Sequence, residues 1–316
     1  MSMLAITSYY NPFRGLLRRQ NYNTFRTHLG VQLLTVEWSP AGQFELNAKD
    51  ADILIQVSGG SMLWQKERLL NIGLAKAREM GFTEIVFLDC DIVFSTSNWF
   101  ELVSAELEKH AVIQCFSRVN YLVPIAHPEP GLEVIKAAPS EYSLPSMAFS
   151  LMHGARLYRE HTSTNTSQAM PIPPLSGNPG LAMAIRADML RHWSYYEYNI
   201  VGGGDLVTLA AMTLNLSALF SNITFTPKHQ DHMLQWAQSQ NFKRCLIGFA
   251  SNKLLHLWHG KLENRQYRSR FEILRDCNYD PSIDIQPDPE GALCFTHGSE
   301  QLKKRIEKFL CSRQDA

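Results

Sequence analysis

The first half of the chain alternates short apolar runs with amphipathic stretches, a pattern typical of a β-sheet covered by helices. The run at 85–88 has no polar position and therefore predicts a central parallel strand buried on both faces. Residues 66–80 place their apolar positions on one helical face, and Gly81 follows where a helix commonly ends. The pattern predicts strands at 3–8, 31–36, 52–57, 85–88 and 112–116 and helices at 66–80 and 99–110.

Residues 124–180 lose this regularity and carry many of the chain's prolines and small polar residues. A long loop in a compact domain is usually functional or disordered. Two interpretations stay open, a mobile segment over the active site and a plain inserted surface loop. Helical periodicity then returns, and we predict further helices at 187–193, 205–214 and 301–309.

Composition narrows the classes of function. Hydrophobic residues make up 45% of the 316 residues and charged residues 19%, which suits a packed core and not a disordered chain. Lys plus Arg equals Asp plus Glu at 30 each, so no net field attracts nucleic acid, and we expect no nucleic-acid partner. We interpret the basic clusters at 14–19 and 303–308 as solvated faces, with a basic rim on a pocket for anionic nucleotides as the alternative.

Targeting signals are not visible in the sequence. The N-terminal residues lack a basic region followed by a long apolar run, and no stretch reaches the roughly 18 apolar residues of a membrane helix. The six cysteines are scattered without CxxC spacing, which argues against a zinc cage or a disulfide framework. We therefore expect a cytoplasmic protein without a transmembrane segment.

Two aspartates follow the apolar run at 85–88, in the sequence Asp89-Cys90-Asp91. Ligands collect at the carboxyl ends of parallel strands, and strand alternation would aim both carboxylates the same way. Two oxygen ligands at this spacing suit Mg²⁺ or Mn²⁺. The alternative is a pair of turn aspartates, one of which caps a helix.

Lys66 and Arg68 lie in the first turn of the helix predicted at 66–80, where acidic residues are normally favoured. A phosphate bound near this helix N-terminus would account for the two cations. The same stretch is also an ordinary amphipathic helix.

Three glycines at 202–204 precede Asp205. Gly203 and Gly204 let the backbone approach a ligand closely and adopt positive φ, and Asp205 is placed to cap the helix predicted at 205–214. A simple glycine turn with a capping aspartate is the alternative. The Rossmann and P-loop fingerprints are absent.

His256 and His259 are separated by three residues and can both reach one metal ion. Trp258 between them offers a flat apolar face to a sugar ring or a base. The alternative is one core histidine and one surface histidine, and the H-E-x-x-H pattern of zinc proteases is absent from this stretch.

The order of these motifs resembles that of a known family. The chain resembles the donor half of the β-1,4-galactosyltransferase and related GT-A families at 55–73 (IQVSGGSMLWQKERLLNIG) and 88–94 (LDCDIVF). It resembles their acceptor half at 177–190 (GNPGLAMAIRADML), 201–205 (VGGGD) and 256–260 (HLWHG). The nearest resemblance is to the bacterial and phage group of galactosyltransferase-like GT-A proteins, which is also related to family 2 glycosyltransferases.

The resemblance implies an α/β protein with the GT-A fold, in which a mostly parallel twisted sheet is flanked by helices and one half is Rossmann-like. It implies one domain over 1–316, comprising a donor half at 1–120, a loop-rich segment at 121–175 and an acceptor half at 176–316.

The donor site is assigned by the same resemblance. Thr7, Ser8 and Tyr9 are expected to hold uracil or another base at the end of the first strand. Lys66 and Arg68 are expected near the diphosphate.

The resemblance also implies a metal site and a catalytic base. Asp89 would face the ribose and the metal, and Asp91 would bind the metal directly. His256, or alternatively His259, would be the third protein ligand. Asp205 would deprotonate an acceptor hydroxyl, which gives inversion at the anomeric carbon.

The acceptor is expected against Gly203, Gly204 and Trp258. The galactosyltransferases carry Trp-Gly-Gly-Glu-Asp-Asp where this chain has Val-Gly-Gly-Gly-Asp-Leu, so one carboxylate remains, at Asp205. The family's Pro-Phe-Arg-Asn-Arg start is present only in part, at 11–14.

The sequence thus predicts an Mn²⁺- or Mg²⁺-dependent hexosyltransferase. It would move a hexose or N-acetylhexosamine from a nucleotide sugar, UDP-linked by expectation, to a hydroxyl of a glycan, a lipid-linked sugar or a protein. Two alternatives remain, a metal-dependent nucleotidyltransferase and a carbohydrate-binding protein that has lost turnover.

Overall fold

The computed structural model describes residues 3–159, 175–188, 191–240, 242, 247–267 and 269–313. The strands are β1 (Met3–Tyr10), β2 (Leu33–Ser39), β3 (Ile53–Ser58), β4 (Glu84–Leu88), β5 (Ile92–Phe94), β6 (Val112–Gln114), β7 (Arg118–Leu122), β8 (Ser140–Pro145), β9 (Ala182–Arg186), β10 (Gly248–Phe249), β11 (Lys253–His256), β12 (Ile285–Pro287) and β13 (Leu293–Phe295). The helices are α1 (Leu16–Thr27), α2 (Lys66–Glu79), α3 (Trp99–Leu107), α4 (Leu132–Ala137), α5 (Met147–Met152), α6 (Gly204–Met212), α7 (Leu216–Asn222), α8 (Pro227–Ser239), α9 (Arg270–Asp276), α10 (Pro281–Asp284) and α11 (Glu300–Ser312), with a 3₁₀ turn at Leu262–Arg265.

A seven-stranded sheet in the order β10-β6-β9-β4-β1-β2-β3 organises the molecule. Strands β1, β2, β3 and β4 pair in parallel, as do β6 and β10, whereas β9 runs antiparallel between β4 and β6. Helices cover both faces of this sheet. The predicted fold class, an α/β architecture with a mostly parallel sheet flanked by helices, is therefore confirmed.

The alternation of side chains along β1 shows how the sheet is buried on both sides. Leu4 and Ile6 pack with the apolar face of α2 in one core cluster, and Ala5 packs with α1 and α3 in another. The first cluster continues into the C-terminal helices α6 and α11. Burial on both faces explains why the sequences of β1 and β4 are largely apolar instead of alternating between apolar and polar residues.

A second sheet of four strands, in the order β5-β11-β7-β8, lies beyond the end of β4. The chain leaves β4 at Leu88, turns through three residues and enters β5 at Ile92. Strand β5 pairs antiparallel with β11, and His256 stands opposite Ile92. This pairing brings the histidine segment to the turn that carries the two aspartates.

The elements predicted for the first half of the chain are present, with ends shifted by up to three residues. Helices at 205–214 and 301–309 are present as α6 and α11. The helix at 187–193 is wrong, because the described residues of that stretch form turns, and residues 189 and 190 lie outside the described part. A seven-residue apolar pattern satisfies helical periodicity by chance, and here Trp193 is instead anchored by stacking on Phe87.

The stretch at 124–180 is more regular than its composition indicates. It contains α4, β8 and α5, and β8 completes the second sheet by pairing with β7. Residues 160–174, on which the hypothesis of a segment over the active site mainly falls, lie outside the described residues.

Within the described ranges, no helix combines the length and the apolar character needed to cross a bilayer.

Candidate active site

A cavity of about 180 Å³ opens at the carboxyl ends of β1 and β4. From β1 the chain moves outward to β2 and β3 and then returns to the other side of β1 as β4, so the strand order reverses between β1 and β4. Ligands in open α/β sheets bind at such a point. Ser8 and Tyr10 line the cavity from β1, and Asp89, Cys90 and Asp91 line it from the turn after β4.

Asp91, His256 and His259 form a buried cluster in this cavity. Their candidate ligand atoms all lie within 4.8 Å of one another. The distance from His259 Nε2 to Asp91 Oδ2 is 3.2 Å, and that from His256 Nε2 to Asp91 Oδ1 is 3.7 Å. The Leu257 amide donates to the Asp91 carbonyl at 2.8 Å, which fixes the two segments together.

The cluster fits a divalent metal on three counts. Asp91 Oδ1 is buried and accepts no hydrogen bond from the described residues. Burial, reinforced by the Arg265 charge, lowers the pKa of His256 to about 3 and that of His259 well below its usual value, so both rings are the neutral form that ligates metals. One carboxylate with two imidazoles suits a transition ion such as Mn²⁺ better than Mg²⁺, which prefers oxygen ligands.

Two arginines lie against the same cluster. Arg18 Nη1 is 3.6 Å from Asp91 Oδ2, and Arg265 Nη2 is 2.7 Å from His259 Nε2. A metal bound through His259 Nε2 therefore requires the Arg265 guanidinium to move from this position. Both cations line the cavity and would then face whatever anion accompanies the metal.

Asp89 is engaged differently from Asp91. Its carboxylate forms an ion pair with Lys66, Nζ to Oδ1 at 2.6 Å, and it is not a member of the three-residue cluster found among the described residues. Burial alone would lower the pKa of Lys66, but the charges of Asp89, Asp205 and Glu67 outweigh it and raise that pKa. Strand alternation does not govern the two aspartates, because β4 ends at Leu88 before either of them.

Asp205 lines the same cavity from the first turn of α6. The expected N-cap position is wrong, because the N-cap is Gly203, but Asp205 Oδ1 accepts from the Leu206 amide at 2.8 Å within the first turn. A side chain at Gly180 would collide with the Asp205 carboxylate, so the glycine leaves room for the acid. The acid thus lines the cavity while one of its oxygens is bonded to its own helix.

The glycines before α6 are needed for close packing. Gly202 and Gly203 have φ of 90° and 92°, which favours glycine. A Cβ at Gly203 would lie 2.9 Å from Arg270 Nη2. Gly203 lines the cavity, whereas Gly204 does not and is packed against the Tyr196 carbonyl and Glu67.

Four other predicted site residues lie outside this cavity lining. The Thr7 hydroxyl is buried and donates to the Leu88 carbonyl at 2.7 Å. The Tyr9 hydroxyl donates to Glu45 at 2.8 Å, in a separate small pocket. Arg68, which was expected near the diphosphate, is bound to Glu197 and the Gly291 carbonyl. Trp258, which was expected at the acceptor, lines a cleft against α1 and residues 124–130.

The cavity contains cations that the sequence pattern did not single out. The basic cluster at 14–19 was interpreted as a solvated face, yet the Arg18 side chain is only 14% exposed and lies beside Asp91. Arg265, Arg270 and Arg313 are also buried lining residues. Arg18, the pair Arg265 and Arg270, and Arg313 come from three stretches distant in the chain, so no single local spacing marks the set.

Aromatic rings form one wall of the cavity. Tyr121 stacks on Tyr142 at a centroid distance of 4.4 Å and packs on His256 at 4.6 Å. On the side of β1, Tyr10 and Trp64 pack at 5.3 Å. Flat apolar faces of this kind suit sugar rings and bases.

Glu67 adds a further carboxyl group at the base of the cavity. It is 3% exposed and packs on Gly204, next to Asp205. Burial, only partly offset by Lys66, raises the pKa of Glu67 to about 7. The sequence did contain a signal for this residue, because Glu67 lies on the apolar face of the amphipathic helix α2, where an acidic side chain is unusual.

Comparison with known proteins gives distant structural likenesses. No family model matches the chain, and no curated protein matches it. Staphylococcus aureus TarS residues 1–349 in complex with UDP-GlcNAc is 10% identical with a TM-score of 0.34, over 77% of this chain and 73% of that one. A protein from Desulfovibrio desulfuricans G20 assigned as a nucleotide-diphospho-sugar transferase is 13% identical with a TM-score of 0.27, over 38% and 59%.

A third solved structure is that of a protein from Bacillus anthracis assigned as a glucose-1-phosphate thymidylyltransferase, in complex with a sucrose. It is 7% identical with a TM-score of 0.33, over 92% of this chain and 98% of that one. The specific galactosyltransferase-like group stays a hypothesis from the sequence.

Proposed function

We propose that the protein is a metal-dependent glycosyltransferase that moves a hexose or N-acetylhexosamine from a nucleotide sugar, UDP-linked, to a hydroxyl acceptor with inversion. The observation that carries the proposal is the Asp91–His256–His259 cluster, which shares one cavity with Asp205. A metal site and a carboxylate base are the two groups that this transfer needs.

The donor diphosphate is assigned to the end of the cavity that contains the cluster. When bound, the metal would neutralise charge that develops on the departing diphosphate. Arg18 and Arg265 lie against the cluster, and Lys66 pairs with Asp89, two residues before Asp91. The protein's own cations therefore face the end of the cavity where the diphosphate is assigned. Asp89 keeps Lys66 in place through its 2.6 Å ion pair.

The nucleobase is assigned to the end of β1. Of Thr7, Ser8 and Tyr9, which were expected at the base, only Ser8 is among the residues that line the cavity. Tyr10, from the same strand, also lines it. Tyr10 is held by stacking on Trp38 at 5.4 Å with an interplanar angle of 12°. The rigid ring gives the base a fixed apolar surface.

Asp205 is proposed as the base that accepts the proton of the acceptor hydroxyl. It enters the cavity from α6, which belongs to a different segment from the aspartate turn and the histidines. A base separate from the metal site is what inversion requires, since the hydroxyl attacks from the side opposite the leaving group. The aromatic wall formed by Tyr121 and Tyr142 would shield the reacting sugar from water.

The proposal is tested by release of UDP from a panel of UDP-sugars in the presence of Mn²⁺. We expect turnover by the wild type and a loss of about 100-fold or more in Asp91→Asn, because metal stabilisation of the leaving group is worth several kcal/mol. Asp276→Asn, which alters an exposed aspartate of α9, is the matched control and should keep full activity.

The assay also separates the alternatives. Release of pyrophosphate from a nucleoside triphosphate and a sugar phosphate identifies a nucleotidyltransferase instead. Binding of sugars without turnover identifies a carbohydrate-binding protein. Unchanged activity of Asp91→Asn in excess Mn²⁺ contradicts the metal assignment.

A further inference from the structure

The Arg270 side chain lies in the cavity without a hydrogen-bonding partner among the described residues. It begins α9, is 7% exposed and lines the cavity. Its Nε is buried and unbonded, and within the described residues no oxygen accepts from the guanidinium. Burial is unfavourable for a cation, and it lowers the pKa of Arg270 to about 10 although the charges of Asp205 and Glu67 oppose the shift.

Two aromatic rings and the backbone of two glycines contact this guanidinium. The rings of Tyr267 and Phe271 each lie 5.0 Å from its central carbon. Its two terminal nitrogens lie over Gly202 and Gly203, where a Cβ would approach them to 3.0 and 2.9 Å. These contacts fix the position of the Arg270 guanidinium, while its N–H donors make no hydrogen bond to the described residues.

A second cation lies at the same end of the cavity. Arg313 lines the cavity over the Trp64 ring at 4.5 Å, and its charge also contributes to the low pKa of Arg270 after burial. Besides Arg313, the charges that act on Arg270 are those of Tyr267, Asp205 and Glu67. Two arginines are thus concentrated near the proposed base.

Two further arginines of the cavity have contacts at the metal cluster. Arg18 lies 3.6 Å from Asp91 and Arg265 lies 2.7 Å from His259, where the donor diphosphate is assigned. Arg270 instead contacts Tyr267, Phe271 and the backbone at 202–203, so its charge is available for a different anion. The N-terminus of the nine-residue α6, which follows Gly203, adds a positive field on this side.

We infer that the Arg270 end of the cavity binds an anionic group, phosphate or carboxylate, of the acceptor, so that a hydroxyl of the same molecule reaches Asp205. This inference rests on the proposed glycosyltransferase function. It restricts the acceptor to sugars or conjugates that carry a negative charge close to the reacting hydroxyl. Arginine is suited to this role because its planar donors match both phosphate and carboxylate.

The test is the binding of three matched sugars, glucose, glucose 6-phosphate and glucuronic acid, measured by calorimetry with UDP and Mn²⁺ present. We expect the two charged sugars to bind about tenfold or more tightly than glucose, because hydrogen bonds to charged groups are the stronger ones. The comparison of the two charged sugars separates phosphate from carboxylate recognition. Equal binding of all three sugars overturns the inference.

Variants of Arg270 locate the anion. Arg270→Gln should abolish the preference for charged sugars, and Arg270→Lys should keep part of it, while both retain the wild-type affinity for UDP. Arg305→Gln, which alters an exposed arginine of α11, is the matched control and should bind as the wild type does. Loss of UDP affinity in Arg270→Gln would instead place Arg270 in the donor site and overturn the inference.

Three further outcomes keep the proposals distinct. If inorganic phosphate alone binds as tightly as glucose 6-phosphate, the site recognises a free anion and the acceptor assignment fails. Absence of UDP release by the wild type contradicts the proposed function. UDP release without any preference for charged sugars contradicts only the inference about the acceptor.

Discussion

Glu67 illustrates how the fold changes the charge state of a single side chain. The residue lies on the buried face of α2, where apolar neighbours are expected, and is 3% exposed. Burial raises its pKa to about 7 against a usual value of 4.5, although Lys66 opposes the shift. The folded protein therefore holds this proton more tightly than the unfolded chain does.

Glu67→Gln should change the pH dependence of stability. The contribution of the raised pKa is present in full below about pH 4.5 and is lost as the pH rises through about 7. The free energy of unfolding of the variant, relative to the wild type, should therefore increase by about 3 kcal/mol between pH 4 and pH 8. Urea unfolding at several pH values measures this difference.

The control for this variant is Glu133→Gln, which removes an exposed carboxylate that pairs with Lys136. Its stability should follow that of the wild type at every pH. If Glu67→Gln also gives a constant difference from the wild type, Glu67 has an ordinary pKa and the prediction fails.

At the scale of elements, the contact of α2 with the sheet decides how close the donor-side residues can come. Gly73 lies in the middle of α2, and a Cβ there would approach Ile6 Cγ2 to 2.6 Å and Leu34 Cδ2 to 3.1 Å. The helix therefore sits on β1 and β2 at a distance that only glycine permits. This packing positions Lys66, at the start of the same helix, beside Asp89.

Gly73→Ala should destabilise the protein by up to about 2 kcal/mol. Alanine gains about 1 kcal/mol of helix propensity over glycine, but overpacking a buried contact costs about 1–3 kcal/mol, and the β-branched Ile6 cannot swing away. Glu79→Ala, at the exposed end of the same helix, is the control and should change the stability by less than about 0.5 kcal/mol. Denaturant unfolding that finds both variants equally stable would contradict this account of the helix packing.

At the scale of the whole molecule, the cluster of Asp91, His256 and His259 connects the two sheets. Asp91 lies on the turn that leaves the large sheet, and His256 ends β11 in the small one. A ligand held by both segments would resist their separation on unfolding. Stability measurements can therefore detect the metal without any assay of activity.

Mn²⁺ should raise the midpoint of thermal unfolding, and a chelator should reverse the rise. At a concentration one hundred times its Kd, a ligand of the folded state adds about 2.7 kcal/mol, or roughly 5 °C for a chain of this size. The rise should be absent in Asp91→Asn and intact in the surface variant Asp276→Asn. An identical response in the two variants would rule out this cluster as the binding site.

The sequence by itself determined the features that depend on local periodicity and local chemistry. Largely apolar runs identified β1 and β4, and amphipathic spacing identified α2 and α11. The two aspartates were located by their place directly after the apolar run of β4. These predictions succeed because side-chain period and burial are coupled within a few residues. The same logic selected His256 and His259, whose spacing is local as well.

Only the tertiary structure decided which residues share the cavity. Arg18, Glu67 and the neighbouring pair Arg265 and Arg270 come from three separate segments and meet because β5 pairs with β11 and α2 packs on β1. Short strands such as β9 acquire their place from their neighbours, since three to five residues carry too little pattern to exclude a loop. The charges that surround the metal cluster and the proposed base are thus set by long-range packing, which no local spacing encodes.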